Sequence, residues 1–353
     1  MQEAVGLNLA TLLVDKPVEQ GRRKFVAALL VCAVVSAALA GLLPLQVSIA
    51  TVFLFAGPHN WFELRYFLSR LPVRFGRSRA FFLTAFVGVG CLTAAYVSLP
   101  LLYKTTVWSY EASLVAIGSW NTLLLAWLST LVFLRSKQKP RSDWIWVLPV
   151  AFALCAFNWI APDLFSLAVV YVHPLVALWF LDKHLQRNRP QWVQAYRRSL
   201  VLAPMMVGFL VWQLWDTRSL TEDNGLFWRI TQHSGAELLP QVSSHVLVSV
   251  HLFLEMLHYF VWLLALPLLG PLVTGRKPCP NPLARFWDLK SLPLARHPRG
   301  FPKTIALMLG VGVALVLLLW VGFSIDYSTT RDVYFTVAIA HVIAEAPFLM
   351  KML

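Results

Sequence analysis

The chain has 353 residues, of which 58% are hydrophobic and 13% charged, with a formal net charge of +13. A soluble domain carries about 25% charged residues. This composition therefore leaves too little polar surface for a water-soluble enzyme, and it also excludes a disordered chain, a coiled coil and a disulfide scaffold. The expected fold class is all-α, a polytopic integral membrane helical bundle.

A membrane-crossing helix needs about 20 mostly apolar residues. Residues 1–24 are expected to form a cytosolic N-terminal segment at the interface, without a cleavable signal. Residues 25–353 are expected to form a single transmembrane domain. Ten apolar stretches follow one another, near 25–43, 45–64, 80–102, 110–134, 144–160, 163–182, 199–216, 243–272, 304–324 and 333–350. Two connections are long. An outer loop near 217–242 carries Glu222, Asp223, His233 and Glu237, and a basic, proline-rich inner loop lies near 273–303.

Charge placement orients the spans. With the N-terminus in the cytosol and ten crossings, 26 of the 30 Lys and Arg face the cytosol, as the positive-inside rule requires. Both termini are then cytosolic, and a bacterial inner membrane is the expected location. The basic charge is thus a topology signal. The lipid bilayer is the expected partner, and nucleic acid is not. The four cysteines, Cys32, Cys91, Cys155 and Cys279, show no paired spacing and read as buried small hydrophobes.

Ionisable groups within spans are costly and mark function by default. Three of the eight Glu fall inside spans, and each follows a histidine by four residues: His59 and Glu63, His251 and Glu255, His341 and Glu345. A fourth pair, His233 and Glu237, lies in the outer loop. Random placement of nine His would give such a partner to about 0.2 of eight Glu. Residues i and i+4 share a helix face, so each pair aims an imidazole and a carboxylate at one point. His258 extends the eighth span's pair into a His-Glu-His stripe, whose Glu-x-x-His part is the spacing of di-iron carboxylate bundles. His173, followed by Pro174, adds an imidazole in the sixth span.

Spans two, six, eight and ten run in the same direction, so these groups converge near mid-bilayer. Gly57-Pro58 should break the second span's hydrogen-bond ladder where it lines a cavity. Three readings of the set are open: a metal site, a proton or ion pathway, and polar helix packing. Asn60, Asn121 and Asn158 are either orienting partners for metal-bound imidazoles or helix–helix hydrogen bonds. His184 and His297 read as solvated at the cytosolic surface, and His245 as peripheral. No P-loop, dinucleotide fingerprint, nucleophile elbow or His-Glu-x-x-His motif is present.

The segment "FAGPHN" at 55–60 resembles the Gly-x-Pro-His element of the Brp/Blh family of membrane carotene-cleaving dioxygenases, and "IAHVIAEAPF" at 339–348 is similar to a late-span histidine segment there. Asn60 stands where the family has Gly, and the His-x-x-x-Glu-x-x-His stripe departs from its pattern. The resemblance implies intramembrane histidines holding iron and oxidation of a lipid-soluble substrate, without specifying carotene.

The expected function is a membrane non-haem metalloenzyme. A divalent metal, one or two irons, is expected on His59, His173, His251, His258 and His341, with Glu63, Glu255 and Glu345 as carboxylate ligands. Glu63 and Glu255 are also the catalytic candidates. The substrate is expected to be a lipid-soluble isoprenoid or acyl molecule that is oxidised, desaturated or cleaved. Haem on His173 and His341 leaves the three Glu unexplained. The alternatives are a proton-coupled transporter and a non-catalytic subunit of a membrane complex.

Overall fold

The structure, a computed structural model, describes residues 2–105, 109–138, 144–221, 225–269, 288–298 and 300–352. Most of the expected inner loop, with Cys279, and Glu222 and Asp223 of the outer loop lie outside these residues. The described residues contain helices and connecting turns and no strand. In chain order the α-helices are α1 (Gln2–Leu42), α2 (Pro44–Arg70), α3 (Arg79–Thr105), α4 (Tyr110–Gln138), α5 (Val147–Ile160), α6 (Pro162–Asn188), α7 (Val193–Ser199), α8 (Leu202–Leu214), α9 (Gly225–His233), α10 (Ser244–Phe260), α11 (Leu266–Leu269), α12 (Pro293–Arg296), α13 (Pro302–Ile325) and α14 (Tyr327–Met352). A π-helical turn, Val261–Ala265, joins α10 to α11. Helix α1 runs through residue 24 without interruption.

Seven segments are long and apolar enough to cross a membrane: Glu19–Leu42, Gly76–Tyr103, Tyr110–Gln138, Pro162–Asn188, Ser244–Leu269, Pro302–Ile325 and Tyr327–Met352. The other three of the ten expected spans are helical but do not meet this measure. Helices α5 and α8 have 14 and 13 residues, about 20 Å at 1.5 Å per residue, against a hydrocarbon core of about 30 Å. Helix α2 is 27 residues long, but His59, Asn60, Glu63, Arg65 and Arg70 interrupt its apolar run.

Helix α10 is the hub. It packs on α1, α2, α6 and α8, and most of the apolar segment it begins, Ser244–Leu269, is buried, whereas little of α13 is. A helix apolar on all sides belongs in the interior, and α10 carries the His-Glu-His stripe there. Helix α13 turns Leu307, Leu315, Leu318 and Val321 outward, as a lipid-facing helix does.

Indole N–H groups tie the helices together. Trp61 of α2 donates to the Leu309 carbonyl of α13 (3.0 Å), and Trp320 of α13 donates back to Phe53 of α2 (2.8 Å). Trp120 and Trp127 of α4 donate to Leu92 and Thr84 of α3, each at 2.9 Å. These bonds explain part of the tryptophan richness, since a buried indole N–H needs an acceptor. Close approach depends on glycine at one of these contacts: the Trp127 ring lies against Gly88, leaving no room for a Cβ. Between α4, α5 and α6, Asn121 donates to Asn158 (2.8 Å) and Ser166 (3.2 Å), and Asn158 donates to the Gly118 carbonyl (2.8 Å). These two asparagines are helix–helix bonds.

Basic residues collect at one end of the bundle. Arg135 of α4 and Arg187 of α6 donate to the Met350, Lys351 and Met352 carbonyls that close α14 (3.0–3.2 Å), satisfying acceptors that a helix C-terminus leaves open. At the opposite end Tyr110 donates to Asp163 (3.2 Å), Arg229 pairs with Asp332, and His245 Nε2 donates to the Gly41 carbonyl (3.0 Å).

Candidate metal centre

Four helices, α2, α6, α10 and α14, each bring one histidine to a common point. His59 and His341 have ring centres 5.2 Å apart, His59 and His258 5.3 Å, His173 and His258 4.8 Å, and His173 and His341 5.2 Å. The rings therefore form a closed four-membered circuit. A metal–nitrogen bond of about 2.0–2.1 Å puts an imidazole centre about 3.2 Å from an ion, so four such rings stand about 4.5–5.2 Å apart around it. The observed separations lie in or just beyond that range.

The hydrogen bonding of the rings fits the same arrangement. His59 Nδ1 lies 3.1 Å from the Phe55 carbonyl. A carbonyl only accepts, so Nδ1 carries the proton and Nε2 keeps the lone pair that a metal takes. His173 Nδ1 lies 3.2 Å from Glu345 Oε2, off the line of a good hydrogen bond. Both nitrogens of His258, Nδ1 of His341 and both oxygens of Glu345 are buried without a hydrogen-bond partner. Such orphaned groups cost about 1–3 kcal/mol each, and a cation satisfies several at once.

Two overlapping sets have donor atoms within 4.8 Å of one another: His59, His258 and His341, and His173, His258 and Glu345. Both sets require His258. The cluster thus has the donors and spacing to hold a metal.

Each of the four helices has a backbone irregularity close to a cluster residue. Pro58 precedes His59, Pro174 follows His173, Pro347 lies two residues after Glu345, and the π-turn begins three residues after His258. Proline removes an N–H from the ladder, and π-turns are frequent at functional sites. Helix α2 nevertheless continues through Pro58 to Arg70, so the expected break is a local loss of one bond.

The remaining candidates occupy other positions. Glu63 is buried with neither oxygen hydrogen-bonded and lies within electrostatic reach of Glu345. His251 and Glu255 stand one to two turns towards the other end of α10. His251 Nδ1 is 4.0 Å from Glu255 Oε2, and its ring centre is 5.2 Å from that of His233 on α9. Burial first, then His251 and Arg331, holds the His233 imidazole well below the usual histidine range, so it is neutral. Asn60 donates to the Tyr334 hydroxyl at 3.4 Å.

A cavity of about 500 Å³ connects these groups. Its inner wall holds His59, His173, His258 and His341, and its outer part holds His233, His251, Glu255 and Arg331. No protein-family profile, curated protein or solved structure matches the chain.

Several residues depart from their expected surroundings. Cys91 is exposed and Cys32 and Cys155 are only half-buried, on helix faces turned away from the core. His184 is buried, not solvated, at 2% exposure. Its Nδ1 accepts from Arg70 at 3.2 Å, because α6 turns it inward between α2 and the basic end. His297 is exposed, as expected. Arg331 counted as an outer-loop charge in the sequence but is 4% exposed, on the cavity wall. Its apolar-turn context, "TTRDVYF", carries no signal that separates a lining arginine from a helix-end one.

Proposed function

We propose that the chain is an integral membrane non-haem metalloenzyme whose four imidazoles, from His59, His173, His258 and His341, hold a single divalent ion. The observation that carries this reading is the closed circuit of four rings with unpartnered nitrogens in a buried cavity. Imidazole with nearby carboxylate and no thiolate suits iron, manganese or zinc, and iron is the proposed metal. A second iron is less favoured, because both triads draw on His258.

Bound iron supplies dioxygen activation. With the ion bound, Glu345 would accept a hydrogen bond from His173 Nδ1, now 3.2 Å from Oε2, and so hold that ring in place, as a carboxylate does behind a metal-bound imidazole. The Phe55 carbonyl does the same for His59. Glu63 and Glu255 are the groups placed to accept or deliver a proton, Glu255 from within the cavity. The reaction class is oxidation, desaturation or cleavage of an isoprenoid or acyl substrate entering from the bilayer. The proposed topology has ten helices at or across the membrane, α5 and α8 only partway, with both termini in the cytosol of a bacterial inner membrane.

One observation favours a second reading. His233, His251 and Glu255 continue from the cluster towards the outer end, as a proton relay of a coupled transporter would. Glu255→Gln decides between them, because Gln keeps the shape and cannot carry the proton. In the metalloenzyme, Glu255→Gln keeps its metal and lowers dioxygen consumption with an added isoprenoid or acyl substrate. Wild-type protein without metal, with proton flux that Glu255→Gln abolishes, establishes the relay instead.

A further inference from the structure

The outer half of the cavity contains a charge with no partner of its own. Arg331 is 4% exposed and lines the cavity wall. Its Nε has no hydrogen-bond partner, and its guanidinium lies over the Phe335 ring, 4.6 Å from the centre. Among the described residues it makes no ion pair. Arg229, also on the wall, is already paired with Asp332. Glu255 lies within electrostatic reach of Arg331, but its close contact is with His251, whose Nδ1 is 4.0 Å from Oε2. A guanidinium does not give up its proton, and a buried cation without an anion beside it is costly.

Between Arg331 and His341, α14 contributes mostly apolar or aromatic wall, Tyr334, Phe335, Ala338 and Ile339 beside Thr336, with His233, His251 and Glu255 of other helices also lining the cavity. Arg331 and His341 are ten residues apart on that helix, about 15 Å along its axis, which is the span of a medium-chain acyl group. A cationic end, an apolar passage and a polar cluster at the far end describe a site for an amphipathic anion.

We infer that Arg331 seats the carboxylate of a fatty-acid-like ligand whose tail extends along the cavity to the histidine cluster. The inference takes its orientation from the cluster as the reacting end, so it deepens the metalloenzyme reading. A carboxylate fits the guanidinium fork in a bidentate pair. A phosphate dianion would call for a second free cation, and Arg229 is committed to Asp332.

The test uses full-length protein in phosphatidylcholine nanodiscs, with radiolabelled decanoate as probe and empty nanodiscs subtracted. Decanoate should bind saturably, and decanol should displace it at least tenfold less well. Arg331→Gln should weaken decanoate binding tenfold or more, and Arg331→Lys, which keeps the charge and the fold but not the fork, should fall between. Equal competition by decanol, unchanged affinity in Arg331→Gln or Arg331→Lys, or tighter binding of decyl phosphate than of decanoate overturns the carboxylate seat. Metal is measured in the same samples. Metal-loaded protein with Arg331-independent binding overturns only this inference. Metal-free wild type that still binds decanoate through Arg331 overturns the metal reading and leaves the seat standing.

Discussion

Glu345 has its closest polar contact in His173, and its two oxygens have no hydrogen bond. Carboxylates behind metal-bound imidazoles fix ring orientation, and their loss typically costs about 10–100-fold in metal affinity. Glu345→Gln should therefore lower iron affinity within that range, read by chelator competition, with the helical circular dichroism unchanged. Glu255→Gln should leave affinity within about threefold, since Glu255 stands a turn away on α10. The reverse ranking would place the ion higher in the cavity, between His251 and Glu255. The four cluster histidines were legible because each is a titratable group in an apolar run. The pairing rule was less informative. It ties a histidine to the glutamate four residues on, yet Glu345 contacts His173 of another helix and not His341 of its own. Arg331 and His184 were hidden for a different reason. At helix ends a basic residue is ordinary, and only three-dimensional packing distinguishes a buried one.

At the scale of helices, each of the ten expected spans contains a helix, but the sequence could not grade them, and it read α9 and α12 as loop. Hydropathy gives similar weight to α5, α8 and the longer spans, whereas length separates them: α5 stops at Ile160, where the Ala161 N–H bonds the Phe157 carbonyl. The interlocks between helices were equally unreadable, because an indole or an amide finds its acceptor only after packing. Asn158 is the clearest interlock, fully buried and bonded to Asn121 and to the Gly118 carbonyl. Asn158→Leu leaves the amide of Asn121 and the Gly118 carbonyl short of partners, a loss of about 1–2 kcal/mol. The variant should unfold at lower temperature while binding iron like the wild type, because these bonds join α4, α5 and α6 away from the cluster. A loss of iron in proportion to stability would instead join that interface to the site.

For the whole molecule, the basic end formed by Arg70, Arg135, Arg187 and Lys351 lies opposite the end formed by Asp163, Asp332 and His245, consistent with the strongly uneven charge distribution in the sequence. Asp216 and His297 are exposed and fall at opposite ends in the proposed topology. In a background without native cysteines, Asp216→Cys should react with an impermeant maleimide from outside intact cells, and His297→Cys only after permeabilisation. The opposite pattern would invert the bundle and put the cavity mouth in the cytosol. The central claim is the four-imidazole metal centre, and metal analysis of gently purified protein tests it most directly. Wild-type protein and His297→Ala should each carry about one iron per chain, and His258→Ala, which removes the residue common to both donor sets, should carry less than a tenth of that. Iron-free wild type that takes up none on reconstitution, or equal iron in His258→Ala and His297→Ala, would contradict the account.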